Sequence, residues 1–285
     1  MKNNIATQDW LRRATAPSRI EIIEAYFRGH GYQPHRHDTY AIGRTLSGVQ
    51  SFRYRGSMRH GLPGSTLVLH PDELHDGEAG TEEGFRYRML YVEPSLIQSI
   101  LGGQSLPYIK GGISADPRLL AAATPLLCAV DAPLQPLEED EALYGLAHAL
   151  SAVGGLRFHR RAFDYPAAER ARDYIHEFFY RSISSEELTA ASGRERWALS
   201  RDFRALYGTS PHRYVILRRI SYCKQLLLAG FSMADSAIQA GFTDQSHMIR
   251  HFNACIGLSP GRWLKLHGLS SPACTNVQYV PPAAL

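Results

Sequence analysis

Two different spacings of apolar residues divide the chain. From Arg19 to Glu93 the pattern is strand-like. Ile20-Glu21-Ile22 and Ser51-Phe52-Arg53-Tyr54-Arg55 alternate apolar or aromatic with polar side chains, and Thr66 to Leu69 is a short run of the fully buried type. Turn signals recur at Gly29-His30-Gly31, Ser47-Gly48, Gly61 to Gly64 and Asp76-Gly77. Many short strands separated by glycines read as an antiparallel sandwich or barrel. After Pro94 the period lengthens, and Ser95–Leu101, Asp116–Val130 and Glu138–Val153 read as helices. In the last of these Leu143, Leu146, Ala147 and Leu150 follow the i, i+3, i+4, i+7 rule, a stripe that must pack on the sheet or on a second copy of the chain.

Gly154-Gly155 and the basic stretch Arg157–Arg161 mark a boundary, and from Pro166 onward everything reads as helix. The stop and start signals are well placed. Ser184 with Glu187 has the form of a capping box, and Ser210-Pro211 and Ser259-Pro260 each set a cap residue before a proline at the first helical position. Gly208, Gly230 and Gly257 stand where helix ends need a left-handed residue. The expected layout is α+β in two domains. Residues 1–155 form the first (barrel about 19–93, helices about 94–155), 156–165 a linker, 166–268 an all-α domain and 269–285 a tail.

The helical half repeats itself. Gly193, Leu199, Arg201, Phe203, Gly208, Ser210, Pro211, Arg213 and Tyr214 are answered in order by Gly241, Met248, Arg250, Phe252, Gly257, Ser259, Pro260, Arg262 and Trp263. From the phenylalanine onward every pair is 49 residues apart. Each copy is a short helix, a glycine turn and a second amphipathic helix, which is helix-turn-helix anatomy. Leu199 with Phe203, and Met248 with Phe252, form the inward faces. The outward faces carry Arg196, Trp197, Ser200 and Arg201 in one copy and Gln245, Ser246, His247 and Arg250 in the other. Arg can bond bidentately to guanine and Gln to adenine, while Ser and His reach phosphates or base edges. Ser210 to Ala229 reads as one helix joining the copies. At ~1.5 Å per residue it spans ~30 Å, close to the ~34 Å between major-groove faces on one side of B-DNA. Arg218, Arg219 and Lys224 on this helix are placed to meet phosphates.

Charge supports the division. The net value is only +4, but residues 1–159 carry 15 Lys and Arg against 17 Asp and Glu, whereas residues 160–285 carry 16 against 10. The basic half suits a polyanion. Cys128, Cys223, Cys255 and Cys274 are widely spaced, with no C-x-x-C pair, so small buried side chains are expected. Met1 to Arg13 has no apolar core of a secretory signal. The longest apolar run, Leu119–Val130, is too short to span a bilayer, so a cytoplasmic protein without a membrane partner is expected.

Gly241-Phe242-Thr243-Asp244-Gln245-Ser246-His247, with Arg250, Phe252, Gly257, Ser259, Pro260 and Trp263, resembles the signature of the AraC/XylS family of bacterial transcription regulators. The resemblance covers roughly residues 165–266. It implies a seven-helix domain whose two helix-turn-helix units bind asymmetric promoter DNA. Trp197, Arg201, Gln245, Ser246 and Arg250 match positions that read DNA in the family. Ala198 and Ser236 depart from it. The first replaces a frequent polar residue of the reading helix, and the second a branched apolar residue, which loosens packing.

The N-terminal half resembles the cupin-like sensor domain that such regulators often carry. Pro34-His35-Arg36-His37 and Pro71-Asp72-Glu73-Leu74-His75 follow the order of the two cupin half-motifs. His35, His37 and His75 offer three imidazoles for Zn²⁺ or Fe²⁺, but Tyr40 to Arg44 contains no carboxylate to complete the usual set. They are therefore read as lining an effector pocket with Tyr40 and Tyr54, with no metal or cofactor assigned. The implied protein is a regulator of promoter DNA that answers a small molecule, with RNA polymerase and a second copy as further partners. Two alternatives stay open at this stage: a metal-dependent cupin enzyme carrying a DNA-binding module, and a regulator without an effector.

Overall fold

The computed structural model describes residues 8–14, 18–102, 104–154 and 163–269. The chain divides into two compact units, residues 1–158 and 159–285, each with its own core. The expected tail, apart from Leu269, and most of the expected linker lie outside the described residues, as does Cys274.

The first unit is built from two antiparallel sheets. One holds β1 (Trp10–Arg13), β2 (Glu21–Phe27), β4 (Tyr40–Gly48), β7 (Thr66–Leu69), β9 (Phe85–Val92) and β10 (Ile113–Ser114), in the order β1-β2-β9-β4-β7-β10. The other holds β3 (His30–His35), β5 (Gln50–Tyr54), β6 (Ser57–Gly61) and β8 (His75–Ala79), in the order β3-β8-β5-β6. The strands thus begin before Arg19 and end after the first helix. Asp76-Gly77, expected as a turn, lies inside β8, where a side chain at Gly77 would meet the ring of Tyr32. In contrast, Gly48 has φ +71° and turns the chain between β4 and β5 as expected.

Three helices follow: α1 (Pro94–Ile100), α2 (Pro117–Cys128) and α3 (Pro136–Gly154). Leu143, Leu146, Ala147 and Leu150 of α3 join Leu119, Ala123, Leu126 and Leu127 of α2 over Ile22, Tyr40, Ile42, Val68, Leu90 and Val92 of the larger sheet. The α3 stripe is therefore satisfied within its own domain. At the edge of this core Glu24 is fully buried and accepts hydrogen bonds from Arg12 (2.5 Å), Arg86 (2.6 Å) and Arg88 (2.8 Å). Arg12 and Arg88 both go on to Asp131, just beyond α2. Burial raises the Glu24 pKa, but the three guanidiniums more than offset it and leave the carboxyl below its usual range.

The second unit contains seven helices among the described residues. They are α4 (Tyr165–Phe178), α5 (Ser185–Ser192), α6 (Arg196–Tyr207), α7 (Pro211–Leu228), α8 (Met233–Gln239), α9 (Gln245–Ile256) and α10 (Pro260–Leu266). The cap chemistry anticipated above is present. Ser184 and Glu187 close a reciprocal capping box, and Ser210 and Ser259 accept from Arg213 N and Arg262 N. Cys223 and Cys255 are buried. Ser236 is fully buried too, and its hydroxyl has no hydrogen-bond partner among the described residues. A buried hydroxyl without a partner costs about 1–3 kcal/mol. Ser236→Ala is accordingly expected to raise the melting temperature of the helical domain, by an amount equivalent to about 1 kcal/mol. A fall on thermal unfolding followed by circular dichroism would contradict that account.

Candidate nucleic-acid interface and sensor site

The two helix-turn-helix units are α5–α6 and α8–α9. Glu195 caps α6 by accepting from Trp197 N and Ala198 N, and Asp244 caps α9 by accepting from His247 N at 2.7 Å. The caps fix which residues start each helix, and so which side chains turn outward. Leu199 and Phe203 are buried with Leu188 of α5, while Met248 and Phe252 are buried in the second unit.

Arg196, Trp197 and Arg201 are exposed and Ser200 is half-buried; Gln245, Ser246 and Arg250 are exposed and His247 is half-buried. Trp197 is 69% exposed, with the Arg196 guanidinium 4.4 Å from its ring centre. An indole that far into solvent contributes little to the core. The His247 ring is partly engaged inside the protein, edge-on to Phe242 and with Nε2 3.0 Å from Nε2 of His251.

Asp202 was not singled out in the sequence. It is buried at 1% exposure on α6, receives Arg194 at 2.9 Å, and also receives Arg201 at 3.2 Å. One buried carboxylate thus anchors a guanidinium of the outward face. The 49-residue offset pairs Asp202 with His251, a polar residue at a similarly inward position, and that pairing was the available signal. Arg219, expected to face phosphates, is instead a structural group. It donates to the backbone carbonyls of Phe179 (2.7 Å) and Arg181 (2.8 Å), and burial lowers its pKa. Arg218 lies over Tyr214 and Lys224 near the Trp263 ring.

In the sheet domain, His35 and His75 are cross-strand partners, and their ring centres are 4.2 Å apart. The His37 ring is 4.7 Å from that of His75 and meets Tyr91 edge-on. One ring nitrogen from each histidine lies within 4.8 Å of the others. Burial holds the His35 pKa well below its usual value and brings His75 down to about 4, so both are neutral near pH 7.

Tyr54 pairs in register with His75 and shares its face. Tyr40 does not belong to this group. In β4 it opposes Val92, whereas Ala41 opposes Tyr91, the residue that touches His37. Alternation therefore turns Tyr40 to the helix-covered face, where its hydroxyl donates to Pro107 O. His70 was missed in the sequence. It sits between Tyr54 Oη (2.6 Å) and the N–H of Ile109 (2.9 Å), spending both ring nitrogens on protein partners.

An antiparallel sheet domain with a histidine-lined interior, followed by paired helix-turn-helix units, defines a two-domain transcription regulator. Residues 18–147 match the family model of an AraC-like ligand binding domain, and residues 188–266 that of a helix-turn-helix domain. YbfI of Bacillus subtilis, an uncharacterized HTH-type transcriptional regulator, is 27% identical over 236 residues, covering 79% of this chain and 86% of that one. The HTH-type transcriptional activator AarP of Providencia stuartii is 30% identical over 101 residues, covering 35% of this chain and 72% of its own. Among solved structures, ToxT from Vibrio cholerae is similar at a TM-score of 0.64 and 14% identity, over 87% of this chain and 99% of that one. ToxT with an unsaturated fatty acid bound is equally similar, at a TM-score of 0.64 and 15% identity, over 88% of this chain and 96% of that one. The chain belongs to the AraC/XylS family of transcription regulators. No described helix is long and apolar enough to cross a membrane.

Proposed function

We propose that α6 and α9 are the reading helices. Arg196, Trp197, Ser200 and Arg201, with Gln245, Ser246, His247 and Arg250, would contact adjacent major-groove segments of promoter DNA. The observation that carries this reading is that two repeats 49 residues apart turn equivalent polar faces outward on helices fixed by equivalent caps. The joining helix α7 has 18 residues. It is therefore about 27 Å long, compatible with the ~34 Å groove repeat once the flanking turns are added.

The sheet domain is proposed to bind a small-molecule effector at the face carrying His35, His37, His75 and Tyr54. The fatty acid held by ToxT, a relative in fold, supports a small-molecule ligand for this domain class. The effector must bind the DNA-competent and incompetent states with different affinity, since otherwise it switches nothing. This reading makes the protein a cytoplasmic regulator and not an enzyme. It leaves a homodimer and RNA polymerase as further partners, and Leu137 and Tyr144 are exposed on α3 in keeping with the former.

The test is a gel shift on a fragment from beside the protein's own gene, at several salt concentrations. Arg250→Ala and Arg201→Ala are each expected to weaken specific binding by about 5- to 100-fold, as loss of a bidentate base contact costs about 1–3 kcal/mol. Unchanged affinity and salt slope in both variants would show that α6 and α9 are not the reading helices.

A further inference from the structure

We propose that Asp202 is a positioning residue for DNA reading: it holds the Arg201 guanidinium in place before DNA arrives and so sharpens the base preference of α6. The proposal rests on the reading of α6 as a reading helix. Asp202 and Arg201 are neighbours on that helix, where successive side chains diverge by about 100° and do not face each other. Here the long arginine curls back, and its Nε and Nη2 both donate to Asp202 Oδ1, at 3.3 and 3.2 Å. The Arg201 side chain is still 50% exposed, while that of Asp202 is 1% exposed.

The carboxylate cannot follow Arg201 outward, because its other oxygen is engaged. Oδ2 accepts from Arg194 Nε at 3.1 Å and Nη2 at 2.9 Å, and from the backbone N–H of Asp164 at 3.4 Å. Arg194 stands in the turn between α5 and α6, and Asp164 caps α4 by accepting from Ala167 N. Asp202 is thus tied to the turn and to the start of the domain's first helix. One oxygen serves a structural cation and the other an outward one.

A guanidinium is a planar fork of five N–H donors. With the Nε–Nη2 edge turned to Asp202, the Nη1–Nη2 edge is the one from which guanine O6 and N7 would accept as a bidentate pair. A side chain fixed before binding has less rotamer freedom to lose on contact, and it is aimed at one base edge. The second unit is built differently. At the position 49 residues on from Asp202 stands His251, whose pKa is lowered by burial and by nearby His247 and Arg250. Arg250 therefore has as its neighbour an imidazole that is neutral near pH 7, in place of a carboxylate. Plain electrostatics predicts the opposite sign for Asp202: a carboxylate beside DNA repels phosphates, so removing its charge would tighten binding to every sequence alike.

The full chain selects from a random-sequence duplex library, and the selected site is then measured with each single base-pair substitution. Arg201→Ala is expected to flatten the preference at one position, from about 5- to 100-fold to about threefold or less. Asp202→Asn keeps the volume but leaves one accepting oxygen, which the three donors at Oδ2 retain, so the amide NH₂ faces Arg201. It is expected to flatten the same position, leave the others sharp, and bind a scrambled duplex no more weakly than the wild type. Added to Arg201→Ala, it is expected to change nothing further at that position. Arg194→Ala removes the structural cation and is expected to lower the melting temperature without flattening the position. Should Asp202→Asn not fold, the wild-type chain still decides: without DNA, the Arg201 Nε–H is expected to be more ordered than that of Arg250 by ¹⁵N relaxation. If Arg201→Ala flattens no position, the reading helix and this proposal fall together. If it flattens one, the proposal alone is overturned when Asp202→Asn leaves that position sharp, flattens every position alike or tightens specific binding, or when Arg201 is as mobile as Arg250.

Discussion

Glu24→Ala is expected to destabilise the sheet domain by about 3–5 kcal/mol, the usual cost of removing one partner from a buried ion pair. Glu24 has no solvent exposure, and three guanidiniums converge on it. Arg12 and Arg86 have side chains more than 40% exposed and can turn to water when the carboxylate is lost. Arg88 cannot: its side chain is 9% exposed and would keep only Asp131 and the Leu127 carbonyl. A loss of this size is a large share of the 5–15 kcal/mol that holds a domain folded. Urea unfolding should show one shifted transition, with the helical domain's transition unmoved. A shift below 1 kcal/mol would mean that the network contributes little.

The second large effect falls on a turn. Gly241→Ala is expected to cost the helical domain about 2–5 kcal/mol and to abolish tight DNA binding, whereas Gly193→Ala costs only about 1–2 kcal/mol. Both glycines are left-handed, with φ +84° and +68°, and both stand in the turn before the second helix of a helix-turn-helix unit. Their surroundings differ. A Cβ at Gly241 would sit 2.2 Å from the carbonyl oxygen of Tyr180 and 2.6 Å from its carbon, backbone atoms that cannot swing aside. At Gly193 the nearest atom is the end of the Arg170 side chain, 3.8 Å away. Thermal unfolding of the two variants, followed by the gel shift, measures the difference. Equal losses would mean that the left-handed conformation alone sets the cost.

The helical domain was legible in the sequence because its signals are local. A capping box at Ser184 and Glu187, prolines after Ser210 and Ser259, and glycines at helix ends each act within four residues. The 49-residue repeat then gave each residue a second witness. Tyr40 was misplaced because β4 lies between the helices and the barrel interior. Tyr40, Ala41, Ile42 and Gly43 are all buried, so alternation leaves no mark. Glu24 and Arg88 read like ordinary surface charges until β2 and β9 set them opposite each other. Arg219 looked like a phosphate contact because a sequence does not tell a cation facing DNA from one capping two buried carbonyls. The histidines were visible, but the strand register that sets His35 against His75 is one that no spacing rule encodes.

Helix α7 has a role beyond spacing. Tyr214 and Val215 at its start belong to the core shared with α4, α5 and α6. Further along, Cys223 donates to the carbonyl of Ser236, and the same helix packs against α8 and α9. Because each helix-turn-helix unit packs on one side of α7, the two are expected to open together. Amide hydrogens in α6 and α9 should then exchange through one common opening, not two independent ones. Protection that one of the two proposed reading helices gains on DNA is then expected to extend to the other through α7, ahead of any base contact by the second.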